Sequence, residues 1–390
     1  MKKECRTFLL VIFIVLFSFF LLACAQQQMP ISQESVEMAS ETVPAPVLET
    51  SPIETNNLTV NQPAIQETKV QELKCSRKFS PQFNAGSYYQ DALFDAHFHM
   101  PPAFEDEHEE SPLFFPKGFR VPVLGKEITL NEILCTFDKE KVIGAITFNT
   151  WEYEKQEQSI QNLADMKKQL PAGVHLFLMP AELEAKELDE AISSHKGVFD
   201  GFGEIVFYDP DREGATPDDR ISLEINNIAE KHKFIVMFHP DSGQETNVEN
   251  ALKKNPNVKF LLHGPQIEDS ITALIEKYPN LYYSIDTILI RKPSFKGPLM
   301  YTVTSKEEYQ REFTQNFDVM LNDAVNKWKR RIEQHPDRFM WGTDRAGDWH
   351  FDEDVSVLLE EYTRAFIARL DPEVQEKFAY KNAERLIAER

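Results

Sequence analysis

Positive charge and cysteine are both scarce in this 390-residue chain. Lys and Arg number 42 against 63 Asp and Glu, which leaves a net charge of −21. An acidic surface repels nucleic acid and anionic lipid, so neither is expected as a direct partner. Four cysteines (Cys5, Cys24, Cys75 and Cys135) are too few for a disulfide framework. Residues 25 to about 75 lack more: they hold no aromatic residue and no regular apolar period, and are rich in Gln, Glu, Pro, Ser, Thr and Val. Such a stretch cannot bury enough surface to offset its ordering entropy. It reads as a flexible tether of ~50 residues, with an end-to-end distance on the order of 40 Å.

The segment before the tether is the opposite in character. Lys2, Lys3 and Arg6 lead into an uncharged apolar run from Phe8 to Ala23. A basic start, an apolar core and a small residue before a cut have the form of a secretory signal; an uncleaved N-terminal anchor is the alternative. Leu21-Leu22-Ala23-Cys24 resembles the lipobox of bacterial lipoproteins, which implies lipidation of Cys24 and an extracytoplasmic protein anchored to a membrane of the cell envelope. The expected organisation is a signal peptide over 1–23, the lipidated Cys24 and tether over 24–86, and one folded domain over 87–390. Setting aside the signal segment, which carries net +2, leaves −23. Outside the cytoplasm Cys75 and Cys135 could pair.

From Tyr89 onward, short apolar runs alternate with longer amphipathic stretches. The runs are Ala92 to His97, Val142 to Phe148, Val174 to Met179, Val198 to Phe207, Phe234 to His239, Val258 to His263, Leu281 to Ile285 and Arg338 to Gly342. Near-continuous apolar character is expected of parallel strands covered on both faces. Helical patterns lie between them, including Ile221 to His232, Ile271 to Tyr278 and Lys306 to Gln334. Eight strand–helix units in one domain predict an α/β fold, a (β/α)₈ TIM barrel, with an open doubly wound sheet as the alternative. Two connections are long, Met100 to Glu127 and Asp286 to Ser305, and both would lie on the face where barrel active sites occur.

The sharpest local signal is Asp95-Ala96-His97-Phe98-His99. Side chains alternate along a strand, so His97 and His99 point the same way, into the barrel mouth. Alone, His-x-His is a weak signal. Here strand five ends in His239, strand six in His263, strand eight in Gly342-Thr343-Asp344, and strand four carries Gly203-Glu204. A barrel brings all these ends to one rim, where imidazoles and carboxylates can share a divalent transition metal, zinc foremost.

Together these residues resemble the amidohydrolase superfamily. The Asp95-to-His99 start, His263-Gly264, Trp341-Gly342-Thr343-Asp344 and the closing Asn382-Ala383-Glu384-Arg385-Leu386 are similar to its amidohydrolase-2 branch, over roughly residues 90 to 390. Gly203-Glu204-Ile205 is closer to the TatD-like branch, in which this Glu bridges two metals. The resemblance implies that His97, His99 and Asp344 bind a first ion, with Glu204, His239 and His263 completing a second site. In a one-metal version His239 joins the first set, and His263 either supports the metal ligands from behind or polarises the substrate. Asp344 would shuttle a proton between water and leaving group.

The implied activity is metal-dependent hydrolysis of a small amide, ester or lactone outside the cytoplasm. The alternatives are decarboxylation of a small aromatic acid, a TatD-like phosphodiesterase, and a surface binding lipoprotein without catalysis. Tyr208 and Arg291 are weaker candidates for substrate contact, as are Asn149, Trp151 and Arg212; Arg291 or Arg345 would suit a substrate carboxylate. Asp286 reads as a cap or a hydrogen bonder within the rim. His108, His175, His195, His232, His335 and His350 are given no role.

Overall fold

The computed structural model describes residues 75, 77–99, 130–150, 156–180, 185–208, 214–287, 298–303, 305–345 and 348–390, within a compact unit running from Val70 to Arg390. Cys24, the signal segment and most of the tether fall outside the described residues. So do Arg291 and the greater part of both long connections.

Eight strands form one parallel sheet in sequence order: β1 (Leu93–His99), β2 (Val142–Thr150), β3 (Val174–Met179), β4 (Phe199–Val206), β5 (Ile235–His239), β6 (Lys259–Leu262), β7 (Leu281–Asp286) and β8 (Phe339–Gly342). Just past β8 the sheet turns back onto β1. Asp344 N donates to His97 O at 2.7 Å, His99 N donates to Arg345 O at 3.1 Å, and Phe98 pairs with Arg345 as a parallel bridge. The result is the predicted (β/α)₈ barrel.

The apolar runs form strands because they are covered on both sides. Phe94, Ala96, Ile146, Phe148, Phe177, Ile235, Met237, Leu261 and Met340 fill the interior, and a second core lies between the sheet and its helices. Those helices are α1 (Leu130–Lys139), α2 (Gln156–Lys167), α3 (Ala185–Ser194), α4 (Arg220–His232), α5 (Glu245–Lys254), α6 (Ile271–Lys277), α7 (Leu299–Thr302), α8 (Lys306–Gln334), α9 (Glu353–Ile367), α10 (Pro372–Glu376) and α11 (Asn382–Ala388).

Local chemistry sets their ends. Ser305 caps α8 by accepting from Glu308 N at 3.2 Å, and Glu307 and Glu308 sit favourably in the first turn. Along α8, Tyr309, Phe313, Phe317, Met320, Leu321, Trp328 and Ile332 recur at helical spacing and are buried. The closing Asn382 motif has a structural purpose: its Nδ2 donates to Pro336 O and Phe339 O where β8 begins. That anchors α11, whose Ala383 and Leu386 complete the interior core.

Folded structure begins earlier than the composition suggested, and the tether boundary at 86 is corrected. The stretch before β1 is already tied to α9: Gln82 N and Phe83 N donate to the buried Glu361 carboxylate at 2.8 and 2.7 Å, and Tyr88 OH donates to it at 2.8 Å. Phe83 stacks on Phe317 at 4.0 Å. Cys75 is disulfide-bonded to Cys135 of α1 across a separation of 60 residues, a closure worth on the order of 4 kcal/mol in the chain-entropy picture. Composition hid this segment partly because two of its anchors, Gln82 N and Phe83 N, are backbone N–H groups, which every residue but proline carries. Among the described residues no helix is long and apolar enough to cross a membrane.

Candidate metal centre

Two strands that bear site residues are bulged at those residues. Asp95 pairs with Ala145 and Phe98 with Thr147, so Ala96 and His97 oppose one residue of β2. Likewise Phe202 pairs with Val236 and Ile205 with Phe238, so Gly203 and Glu204 oppose one residue of β5. A bulge shifts the alternation by one and re-aims the side chains beyond it. Phe94 and Ala96 face the interior core while Phe98 faces the outer one; His97 and His99 meet the same carboxylates.

Asp344 reaches the same place by a different device. Its backbone is left-handed at φ 54°, unusual for a residue with a side chain. Its N–H bond to His97 O holds it there. Asp95 reinforces the seam: Oδ1 accepts from His97 N at 3.1 Å and Thr343 N at 2.8 Å, and Oδ2 accepts from Thr343 Oγ1 at 2.6 Å. Burial pushes the Asp95 carboxyl up to about 7 against these bonds.

The six metal-ligand candidates converge around Glu204. His97 Nε2 and His99 Nε2 are 3.0 Å apart. Asp344 Oδ1 lies 3.4 and 3.2 Å from them, and Glu204 Oε2 lies 3.7 and 3.3 Å from them. On the other side of the same carboxylate, Glu204 Oε1 meets His239 Nδ1 at 2.5 Å and also His263 Nε2. His239 meets the first set across Glu204. Phe148 walls the floor, its ring 5.1 Å from that of His97.

These distances fit a divalent metal. Four ligands at about 2.0–2.1 Å in a tetrahedron stand roughly 3.3–3.4 Å from one another, and five of the six separations among His97, His99, Asp344 and Glu204 run from 3.0 to 3.7 Å. Glu204, Asp286 and Asp344 are all buried, and among the described residues only histidines pair with them. Burial alone would lower the His97 imidazole, but the Asp344 and Asp286 charges outweigh it and push it up to about 10. His99, opposed by the same burial, is pushed up to about 9 by hydrogen bonds to Asp344 and Glu204. Burial would raise the Glu204 carboxyl, yet His263 and His239 hold it well below its usual range. The pocket is short of positive charge, as a cation site should be.

Sequence reasoning underrated Asp286. It is the hydrogen bonder within the rim that the sequence allowed, but its partners are site histidines: Oδ2 lies 3.2 Å from His97 Nδ1 and 3.0 Å from His263 Nδ1. Arg345 is corrected in the opposite sense. It is buried, with Nη2 on Glu140 Oε1 at 2.7 Å, so it is not free to hold a substrate carboxylate. Tyr208 does stand at the site, its hydroxyl 3.4 Å from His239 Nδ1. Trp151 and Arg212, like Arg291, lie outside the described residues, and of Asn149 only the backbone is described.

Gly264 is where the chain comes closest to a site histidine. Its φ is +95°, and a Cβ there would stand 2.4 Å from His239 Nε2. Gly264→Ala is expected to displace His239 and lower metal-dependent turnover by about 10²-fold, the cost of misplacing a reacting group by about 1 Å. Steady-state kinetics at saturating zinc check this, and wild-type turnover would show that the ring tolerates the methyl group.

The amidohydrolase family model matches residues 94–388. No curated protein matches the chain by sequence. Among solved structures, the chain is similar to a zinc-bound amidohydrolase from Burkholderia multivorans, at 12% identity and a TM-score of 0.50, covering 76% of this chain and 99% of that one. It is also similar to a 2,6-dihydroxybenzoate decarboxylase from Rhizobium, at 14% identity and a TM-score of 0.43, covering 77% and 99%. The likeness to the zinc-bound amidohydrolase, at 12% identity, speaks to the barrel fold alone.

Proposed function

The chain belongs to the amidohydrolase family, and from that membership and its donor set we propose that it is a metal-dependent hydrolase of a small amide, ester or lactone. The observation that carries the reading is that His97 and His99 stand 3.0 Å from one another and 3.2 to 3.7 Å from both Asp344 and Glu204, the spacing of ligands around one ion. Those four would hold one ion, zinc by preference for His and carboxylate donors. Glu204 Oε1 with His239 and His263 would hold a second. A bound divalent metal supplies Lewis acidity, polarising a substrate oxygen and lowering the pKa of water from roughly 15.7 to about 7.

The remaining steps belong to the protein. Asp344 accepts the proton of the attacking water and returns it to the leaving group. Tyr208, beside His239, offers a hydroxyl to the substrate. Phe148 and the packed barrel floor exclude bulk water. Decarboxylation would use the same donors, with the ion holding a substrate carboxylate and its neighbouring hydroxyl in place of an activated water.

The reading extends to location: the basic-then-apolar start and the Leu-Leu-Ala-Cys24 sequence support a lipid-anchored protein outside the cytoplasm. The Cys75–Cys135 bond suits an oxidising compartment. Elemental analysis of chain purified without chelators is the direct test. One or two equivalents of a transition metal, with ester, lactone or amide hydrolysis lost on chelation and restored by zinc, are expected. No metal after reconstitution with zinc and manganese would overturn the assignment.

A further inference from the structure

We propose that Asp286 is a positioning residue shared by both halves of the centre, with one carboxylate oxygen setting the tautomer of His97 and His263 together. The inference rests on the metal-centre reading above and concerns how its donors are prepared.

A carboxylate only accepts hydrogen bonds. With Asp286 Oδ2 at 3.2 Å from His97 Nδ1 and 3.0 Å from His263 Nδ1, both nitrogens must be N–H. In a neutral imidazole the lone pair is then on Nε2, the atom each ring turns toward Glu204. One oxygen thus aims a donor at each side of the Glu204 carboxylate. The second oxygen, Oδ1, accepts from Ser284 Oγ at 2.6 Å, which fixes the carboxylate plane.

No water can substitute, because the Asp286 side chain is fully buried. Its fit also depends on the neighbouring strand: a Cβ on Gly342 would stand 2.5 Å from Asp286 Oδ1 and 2.6 Å from Ser284 Oγ. The other two histidines differ. His239 Nε2 has its own partner, Gln266 Oε1 at 3.1 Å, and the buried His99 Nδ1 finds none among the described residues. Among the described residues, Asp286 is therefore the group that holds an Nδ1 atom in each half, while Glu204 meets both halves from the Nε2 side of His97 and His263.

Asn at 286 keeps the shape but offers one neutral oxygen: turned toward the imidazoles it is a weaker acceptor than a carboxylate, and turned toward Ser284 it sets its amide against both N–H groups. Two readouts on the purified full-length chain test the role: zinc competition against a chromophoric chelator, and ¹⁵N-resolved NMR of the histidine rings without metal, followed upward in pH until each ring is neutral. Asp286→Asn is expected to weaken every zinc equivalent that the wild type takes up by about 10–100-fold, and to switch the tautomer of His97 or His263. Gln266→Leu should weaken only the half that holds His239. Ser284→Ala, which leaves the carboxylate in place, should give a smaller loss in the same direction and guards against misfolding of the 286 variant. Wild-type zinc affinity with unchanged tautomers in Asp286→Asn would overturn the inference. If the wild type itself takes up no zinc, the metal reading fails, and the tautomer readout decides the role of Asp286 by itself.

Discussion

Asp344→Asn should lower kcat by about 10²–10⁴-fold, the usual contribution of a positioned acid–base group, while the barrel and most of its metal remain. Asn is nearly isosteric, so the left-handed backbone at φ 54° and the bond from residue 344 N to His97 O are kept. The amide can still face His97 and His99, which Oδ1 now approaches at 3.4 and 3.2 Å. What it loses is the ability to take a proton. Kinetics and metal content must be read on the same preparation. Full activity would remove the proton role; loss of turnover in step with loss of metal would make Asp344 a ligand first.

The second large effect is on stability. Glu140→Ala should cost about 3–5 kcal/mol, because it strands a buried cation. Arg345 and Glu140 are 1% and 2% exposed, their side chains meet at 2.7 Å, and Ser356 Oγ donates to the same Glu140 oxygen. Arg345 lies on the seam that closes the barrel, since its carbonyl accepts from His99 N and its neighbour is Asp344. A loss of that size would lower the thermal midpoint on the order of 10 °C for a domain of this length. Replacing both partners with Met should recover most of it, as no charge is then left unpaired. Thermal and denaturant unfolding of the single and double variants check this; a single variant within about 1 kcal/mol of wild type would mean that water reaches Arg345.

Much of the architecture was legible because parallel strands covered on both faces must be apolar nearly throughout. The run from Val174 to Met179 matches its strand at both ends, and Lys306 to Gln334 matches its helix, its start marked by Ser305 and two glutamates. The donors stood out for a related reason: a histidine ending an apolar run, as His239 does, is conspicuous. Asp286 ended such a run as well, but a carboxylate at a strand end is common enough to pass as a cap or an ordinary hydrogen bonder within the rim. Arg345 looked like a free cation because its counter-charge lies 205 residues away.

The sequence by itself determined that eight strand–helix units form a barrel and that imidazoles and carboxylates gather at its rim, since burial and alternation are local properties of a strand. Only the tertiary structure decided which way each donor turns. The bulges at His97 and Glu204, the left-handed Asp344, the sharing of Asp286 between His97 and His263 across 189 and 23 residues, and the burial of Arg345 on Glu140 all arise from barrel closure. They depend on partners far apart in the chain, and no residue carries a local mark of its distant partner.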